Sequence, residues 1–383
     1  MGLERDLTVL HFITGLGFGG AQVMLFRYLR GLGAARKQHR VVSLLPPEHF
    51  SREIENLGVR VDSIDLPPGR ITLAGLRKMR RIVAETRPDV IHGWMYHGNF
   101  AASVANFRLG RASRVIWSVH HSLHDLTAER RNTRILLKLL APLSRYAGAI
   151  TYCAGQSQSQ HRDLGFSPKR DCVIPNGTDT GEFAADPQAR GRLNGLAGLP
   201  DGRILLGNIN RNHPMKDQVS LIKAAAILRD KGHDVHVILI GAGHQDSAAA
   251  DMAHALGLND RFTHLPARDD IPQIMPALDI FVLSSAWGEA FPLSVGEAMA
   301  AEVPAVVTDV GDSGWLVGDA GIVVPPKDPD ALAEGIEKIL NLSVDARKLL
   351  GQRARQRIEK LFSLDTYIEA HSQLYTRVAA LAK

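Results

Sequence analysis

The run Ile280-Phe281-Val282-Leu283-Ser284-Ser285-Ala286-Trp287-Gly288-Glu289-Ala290-Phe291-Pro292-Leu293-Ser294-Val295-Gly296-Glu297-Ala298-Met299-Ala300 passes from an apolar strand, through a loop of small residues, into a helix. Four apolar residues in a row suit a strand buried on both faces, as in a parallel sheet. The helix begins near Pro292–Ser294. Glu289 sits at the C-terminal mouth of the strand, and Glu297 lies about one turn inside the helix. The free N–H groups of a first helical turn favour phosphate. A carboxylate beside them can accept hydrogen bonds from a sugar diol. The spacing therefore suits a sugar attached to a nucleoside diphosphate.

The same strand–loop–helix unit repeats outward in both directions. Towards the N-terminus, strands are expected at Thr8–Ile13, Arg40–Leu45, Val59–Ile64, Val90–His92, Val115–Val119 and Ala149–Tyr152, with helices such as Ala21–Gly31 and Leu73–Thr86 between them. A second series follows the turn-rich Pro175-Asn176-Gly177-Thr178-Asp179: Ile204–Ile209, Val235–Ile240, Phe262–Leu265, Ile280–Leu283, Ala305–Thr308 and Ile322–Val324. Such alternation implies parallel sheets with helices on both faces. The expectation is an α/β chain of two Rossmann-like domains, residues 1–175 and 176–360, with ligands in the interdomain crevice at the strands' C-terminal ends. Residues 361–383 read as a helix expected to pack back on the first domain.

A length of 383 residues agrees with two domains. At 45% hydrophobic and 22% charged, the chain has the composition of a soluble globular protein with a sizeable core. Its formal charge of +5 suits anionic partners such as phosphorylated ligands or acidic lipid; no nucleic-acid partner is expected. Cys153 and Cys172 have no metal-ligand spacing, and two isolated thiols point to a reducing compartment. Met1–Asp6 lacks a signal-peptide layout, and no apolar run approaches a membrane span. The protein is expected in the cytoplasm, with at most peripheral contact at the inner membrane face.

Several motifs each admit a functional and a purely structural reading. Gly15, Gly17 and Gly20 match G-x-G-x-x-G, but the second strand ends Leu44-Leu45-Pro46-Pro47, with Glu48 only after two prolines. The ribose-binding acid of a dinucleotide site is therefore out of place, and close backbone approach to an anion is what remains; a tight turn without ligand competes with it. Arg211 and Lys216, on the loop before the helix Ser220–Asp230, could clamp a pyrophosphate, the first as a fork and the second as a point charge, or could be solvated. Gly241-Ala242-Gly243 is weak evidence. Asp328-Pro329-Asp330 reads as a helix N-cap rather than a metal motif, and no metal is expected. Among 16 histidines most must be structural or exposed. His120, ending the strand Val115–Val119, is the best candidate for the crevice; alternation along the strand lets only one of His120 and His121 face it. His97 is an acceptor-side candidate. Arg130, Arg131, Arg134, Lys138 and Arg145 interleave with Ile135, Leu136, Leu137, Leu139 and Leu140. The pattern fits a basic amphipathic helix on an anionic membrane, or a core-facing stripe with a solvated face.

Taken together these residues resemble the retaining GT-B glycosyltransferases of family 4, glycosyltransferase group 1. The resemblance covers nearly the whole chain: Gly19-Gly20-Ala21-Gln22, Pro175–Asp179, Arg211 with Lys216-Asp217, Arg268-Asp269-Asp270-Ile271-Pro272, and Glu289 to Glu297 onward to Asp309. It implies that Gly19 and Gly20 lie near the donor phosphate, and that Arg211 and Lys216 hold the diphosphate and stabilise the leaving group. Backbone groups at Arg268 would meet the base, Leu293 and Ser294 would offer N–H groups to phosphate, and Glu297 would bind the ribose. Glu289 would contact the transferred sugar and His120 would line the reacting centre. No cofactor is implied; a UDP- or GDP-sugar is the substrate, and the acceptor is a sugar or a lipid-linked sugar of a bacterial surface polysaccharide or glycolipid. Domain closure over the donor is expected. Ala290 stands where the family commonly has Gly, and Ser294 where Asn is frequent. A sugar phosphorylase or nucleotide-sugar epimerase on the same scaffold, or a non-catalytic nucleotide-sugar binding protein, are the alternatives.

Overall fold

A computed structural model describes residues 7–67, 70–107, 114–124, 126–199 and 202–381. Met1–Asp6, on which the leader reading rests, lie outside them. The chain divides into two compact units: Met1–Gly177 together with Leu364–Lys383, and Thr178–Ser363.

In the first unit the strands are β1 (Val9–Ile13), β2 (His39–Ser43), β3 (Arg60–Ser63), β4 (Val90–Trp94), β5 (Val115–Val119), β6 (Ala149–Tyr152) and β7 (Asp171–Val173). Among the described residues they form one parallel sheet of order β3-β2-β1-β4-β5-β6-β7. The second unit has β8 (Ile204–Ile209), β9 (Val235–Ile240), β10 (Phe262–Leu265), β11 (Ile280–Leu283), β12 (Ala305–Thr308) and β13 (Gly321–Val324). Its parallel sheet has the order β10-β9-β8-β11-β12-β13. Both orders are of the Rossmann kind. The strand order reverses between β1 and β4 in one unit and between β8 and β11 in the other, and ligands of such sheets sit beyond the strand ends at that reversal.

The inner strands, among them β1, β4, β5, β9, β11 and β12, are buried on both faces, and the two faces of the first sheet differ in chemistry. Leu10, Phe12, Ile91, Trp117 and Val119 belong to one apolar core. Strand alternation sends His11 and His92, which lie opposite each other in register, to the other face. There the helix Leu364–Leu381 packs on the helix Gly20–Gly31 and on β4. Its Tyr367, His371 and Tyr375 are buried among Tyr28, His92 and Trp94. Trp94 Nε1 donates to His11 Nδ1 (3.1 Å), His11 Nε2 and His39 Nδ1 share a bond of 2.9 Å, and His92 Nδ1 shares one of 2.8 Å with the Tyr375 hydroxyl.

No helix of the described residues is long and apolar enough to cross a membrane. Cys153 and Cys172 are free thiols. Asp328 caps the helix Pro329–Leu340, its carboxylate accepting from Ala331 N at 3.0 Å.

Candidate functional site

Arg211, Lys216 and Glu289 lie on the loops that follow β8 and β11, the two strands flanking the reversal of order. After β8 the chain runs through Arg211 to a short turn of helix, Pro214–Lys216. It then reverses at Asp217, which adopts a left-handed conformation (φ 44°). Asp217 caps the next helix, Gln218–Asp230, its carboxylate accepting from the Ser220 N–H at 3.4 Å and from the Ser220 hydroxyl at 2.7 Å. This fixes the direction in which Lys216 leaves the backbone. Its Nζ lies 2.6 Å from Glu289 Oε1 on the β11 loop. The Ser285 hydroxyl donates to the same oxygen at 2.5 Å, and Glu289 is buried. Arg211 is exposed, and its carbonyl accepts from Gln218 Nε2 at 3.2 Å.

Beyond Glu289 the helix Leu293–Ala300 begins after Pro292. Leu293 and Ser294 are its first two residues, so their N–H groups have no partner within the helix and form the positive end of its dipole. Glu297 is half-buried one turn further on. The loop is held from behind: Asp312 N donates to Ala290 O at 2.9 Å. Gly311 (φ 63°) presses so closely that a Cβ there would lie 2.3 Å from Glu289 O. Arg268 forms a two-pronged pair with Asp270, both bonds 2.7 Å, which holds the Asp270 carboxyl below the usual range.

In the first unit, His120 directly follows β5. Its Nδ1 meets Asn176 Oδ1 at 3.0 Å and its Nε2 meets Ser118 Oγ at 3.0 Å, and the ring stacks on Trp94 at 5.3 Å. The Thr151 hydroxyl donates to Ser118 Oγ at 3.0 Å. The chain of donors is satisfied if His120 carries its proton on Nδ1. Burial pushes its pKa down to about 4, against the opposing pull of the Asn176 bond, so the ring is neutral at pH 7. His121 instead pairs with Glu129 at 2.7 Å. His97 is exposed on the first turn of the helix Met95–Asn106, and partial burial of its ring lowers its pKa.

The glycine loop after β1 holds an anion, but it is the chain's own. A Cβ on Gly15 would lie 2.5 Å from Glu48 Oε2, and one on Gly17 would lie 3.0 Å from Glu48 Oε1. The carboxylate thus packs against the loop, while Glu48 caps the helix His49–Asn56. Gly19 and Gly20 open the helix Gly20–Gly31, and a Cβ on Gly20 would meet nothing within 4 Å.

Two residues here escaped the sequence reading. Ser285 lies in the run that decides the fold, but a serine among small residues carries no signal of its own. Gly311, in Val310-Gly311-Asp312, follows β12 as Gly207 and Gly241 occur near other strand ends, and only its contact with Glu289 sets it apart.

Two Rossmann-like units with this arrangement of strand-end charges define a GT-B glycosyltransferase. The solved structure of HepE from Anabaena in complex with UDP superposes with a TM-score of 0.83 at 23% identity, covering 96% of this chain and 99% of that one. Residues 18–182 match the family model described as Glycosyltransferase Family 4, and residues 196–357 match that of the Glycosyl transferases group 1. The 2-deoxystreptamine glucosyltransferase of Streptomyces kanamyceticus is 30% identical over 84% of this chain and 89% of its own length. The UDP-Gal:alpha-D-GlcNAc-diphosphoundecaprenol alpha-1,3-galactosyltransferase of Escherichia coli is 22% identical over 79% of each chain. The chain belongs to the group 1 glycosyltransferases of family 4.

Proposed function

We propose that the protein transfers a sugar from a nucleoside diphosphate donor, with retention of configuration and without a metal ion, in the synthesis of a bacterial surface polysaccharide or glycolipid. The observation that carries this reading is the Lys216–Glu289 pair beside the first turn of Leu293–Ala300. It sets a cation, a carboxylate and unpartnered N–H groups at one sheet edge. In this reading Lys216 and Arg211 bind the diphosphate of a UDP- or GDP-sugar, supported by the N–H groups of Leu293 and Ser294. Backbone at Arg268 meets the base, and Glu297 takes the ribose diol. Glu289, aligned by Ser285 and Lys216, takes the hydroxyls of the transferred sugar. As the bond to the leaving group breaks, negative charge grows on the diphosphate, and fixed cations stabilise that charge more than they do the ground state. They take the place a metal ion would otherwise fill. In the first unit Gly19 and Gly20 serve the donor phosphate, His120 contributes a neutral imidazole to the reacting centre, and His97 belongs to the acceptor.

A thermal-shift screen against UDP-, GDP- and ADP-sugars tests the reading. Stabilisation by one base series that disappears in Lys216→Ala supports it; no shift with any of the three removes it.

The cytoplasmic chain would meet a lipid-linked acceptor at the inner membrane face through the helix Arg131–Leu143 and the turn after it. Ile135 (57% exposed), Leu139 (46%) and Tyr146 (60%) project to solvent there. They stand among Arg131, Lys138 and Arg145, and no acidic residue occurs between Arg130 and Arg162. Apolar side chains bordered by cations suit an anionic bilayer surface. Equal sedimentation with anionic and neutral liposomes would count against this contact.

A further inference from the structure

Phe18 stands at the turn between β1 and the helix Gly20–Gly31, and 75% of its surface is exposed. Its ring is nonetheless fixed in place. It stacks on the His49 imidazole at 4.4 Å between centroids and 24° between planes, and it meets Phe50 edge-on at 5.9 Å. Phe50 is buried, lies 5.4 Å from the ring of Phe26, and donates from its N–H to Leu16 O at 2.8 Å. The start of the helix His49–Asn56 is thereby tied to the β1 loop. One face of Phe18 is supported from within the protein, and most of the other is open to solvent.

A carboxylate packs against the loop that carries this ring. Glu48 Oε1 would be 3.0 Å from a Cβ on Gly17, the residue preceding Phe18. An aromatic face and an acceptor therefore share one loop.

A single exposed aromatic is ordinary on a protein surface. A ring backed by a second ring, on a loop against which a carboxylate packs, has a more specific match. The C–H groups on one face of a pyranose carry partial positive charge and are drawn to the negative face of an aromatic ring. The hydroxyls at the rim of the sugar donate to a carboxylate, which only accepts. The geometry points to Phe18, backed by His49 on a loop against which the Glu48 carboxylate packs, as the platform for a pyranose ring of the acceptor. This rests on the transferase reading above, because an acceptor sugar has meaning only within it.

Saturation-transfer NMR on the full chain tests the platform, using as probes the methyl glycosides of glucose, galactose, mannose and N-acetylglucosamine. The expected result is saturation of the ring C–H protons of at least one glycoside. Affinity should fall about tenfold in Phe18→Ala and return in Phe18→Trp, a change that leaves the buried Phe50 and the glycines untouched. Calorimetry with UDP runs beside it, and wild-type UDP affinity in Phe18→Ala shows that the donor half is intact. If UDP binds but no glycoside does, or glycosides bind equally well to Phe18→Ala, the platform is overturned and the transferase reading stands. If none of the UDP-, GDP- and ADP-sugars binds the wild-type chain, the transferase reading falls and takes the acceptor platform with it.

Discussion

Lys216 Nζ lies 2.6 Å from Glu289 Oε1, the two side chains reaching each other from loops at the ends of neighbouring strands. Neither is exposed enough for water to screen the contact fully. Losing one partner of such a pair leaves an uncompensated charge, at a cost of about 3 kcal/mol or more. The two losses are unequal. Without Lys216 the Glu289 carboxylate keeps only the Ser285 hydroxyl as a donor among these groups, whereas without the carboxylate the longer lysine can turn to solvent. Lys216→Ala should therefore lower the thermal midpoint more than Glu289→Gln. Equal midpoints for wild type and Lys216→Ala in a melting experiment would show the pair to be energetically idle.

Gly311→Ala should damage the site without removing any group assigned to substrate. Its φ of 63° is unfavourable for a side chain, and the added Cβ would press on Glu289 O at 2.3 Å and Ala290 O at 2.8 Å. Backbone cannot give way as a side-chain tip can, so Glu289 must shift. Transfer activity should fall at least tenfold, with UDP affinity falling much less. Steady-state kinetics paired with calorimetry read both, and full activity would mean that the loop tolerates the displacement.

Arg211→Ala and Lys216→Ala should each weaken UDP or GDP binding, Lys216 the more because its position is fixed by the Asp217 cap. Removing a charge-assisted bond to phosphate costs about 1.5–3 kcal/mol, or roughly tenfold to a hundredfold in affinity. EDTA should leave turnover intact. Strong inhibition by EDTA that added magnesium reverses would mean that the cations do not replace a metal.

The first unit should be acid-labile. Burial pushes His39, His120 and His371 down to about 4 and holds His11 and His92 well below their ordinary range. These rings are neutral when folded, but in the unfolded chain they take up protons near pH 6.5. The unfolded state thus binds more protons between about pH 6.5 and 4. The stability these groups contribute is complete above that window and is lost as pH falls through it, at about 1.4 kcal/mol per pH unit for each group. Urea unfolding followed by tryptophan fluorescence at pH 7.5 and 5.5 measures the loss, and His371→Phe should reduce it. Equal stability at the two pH values would contradict the assignment.

Much of this architecture is legible in the sequence because strands buried on both faces read as unbroken apolar runs. β5, β6, β8, β9, β11 and β12 fall on the expected residues for that reason, and β10, only partly buried, falls on its expected residues as well. β7, Asp171-Cys172-Val173, has no such run; as a short edge strand it depends on pairing with β6. Glu289 and Lys216 could be singled out as charges at strand ends, but not as partners. Their contact depends on β8 lying beside β11, a tertiary fact with no local signature. Glu48 shows the same limit. Two prolines separate it from its strand, yet in the fold its carboxylate lies against the glycine loop from which spacing alone had removed it. The buried histidines were legible as residues too numerous to be catalytic, while their shared face required the register of β1 with β4.

The first unit is made from two distant stretches of chain, and the second from one uninterrupted stretch between them. On a ribosome the order of manufacture is therefore out of step with the order of assembly. The sheet carrying His11 and His92 emerges early, but the helix that covers it, Leu364–Leu381, is translated only after the whole of the second unit. At about 5–20 residues per second, that wait is on the order of ten seconds or more. For that interval a face of imidazoles and aromatic rings stands uncovered on a nascent chain. The second unit, one uninterrupted stretch, is complete before that helix is made.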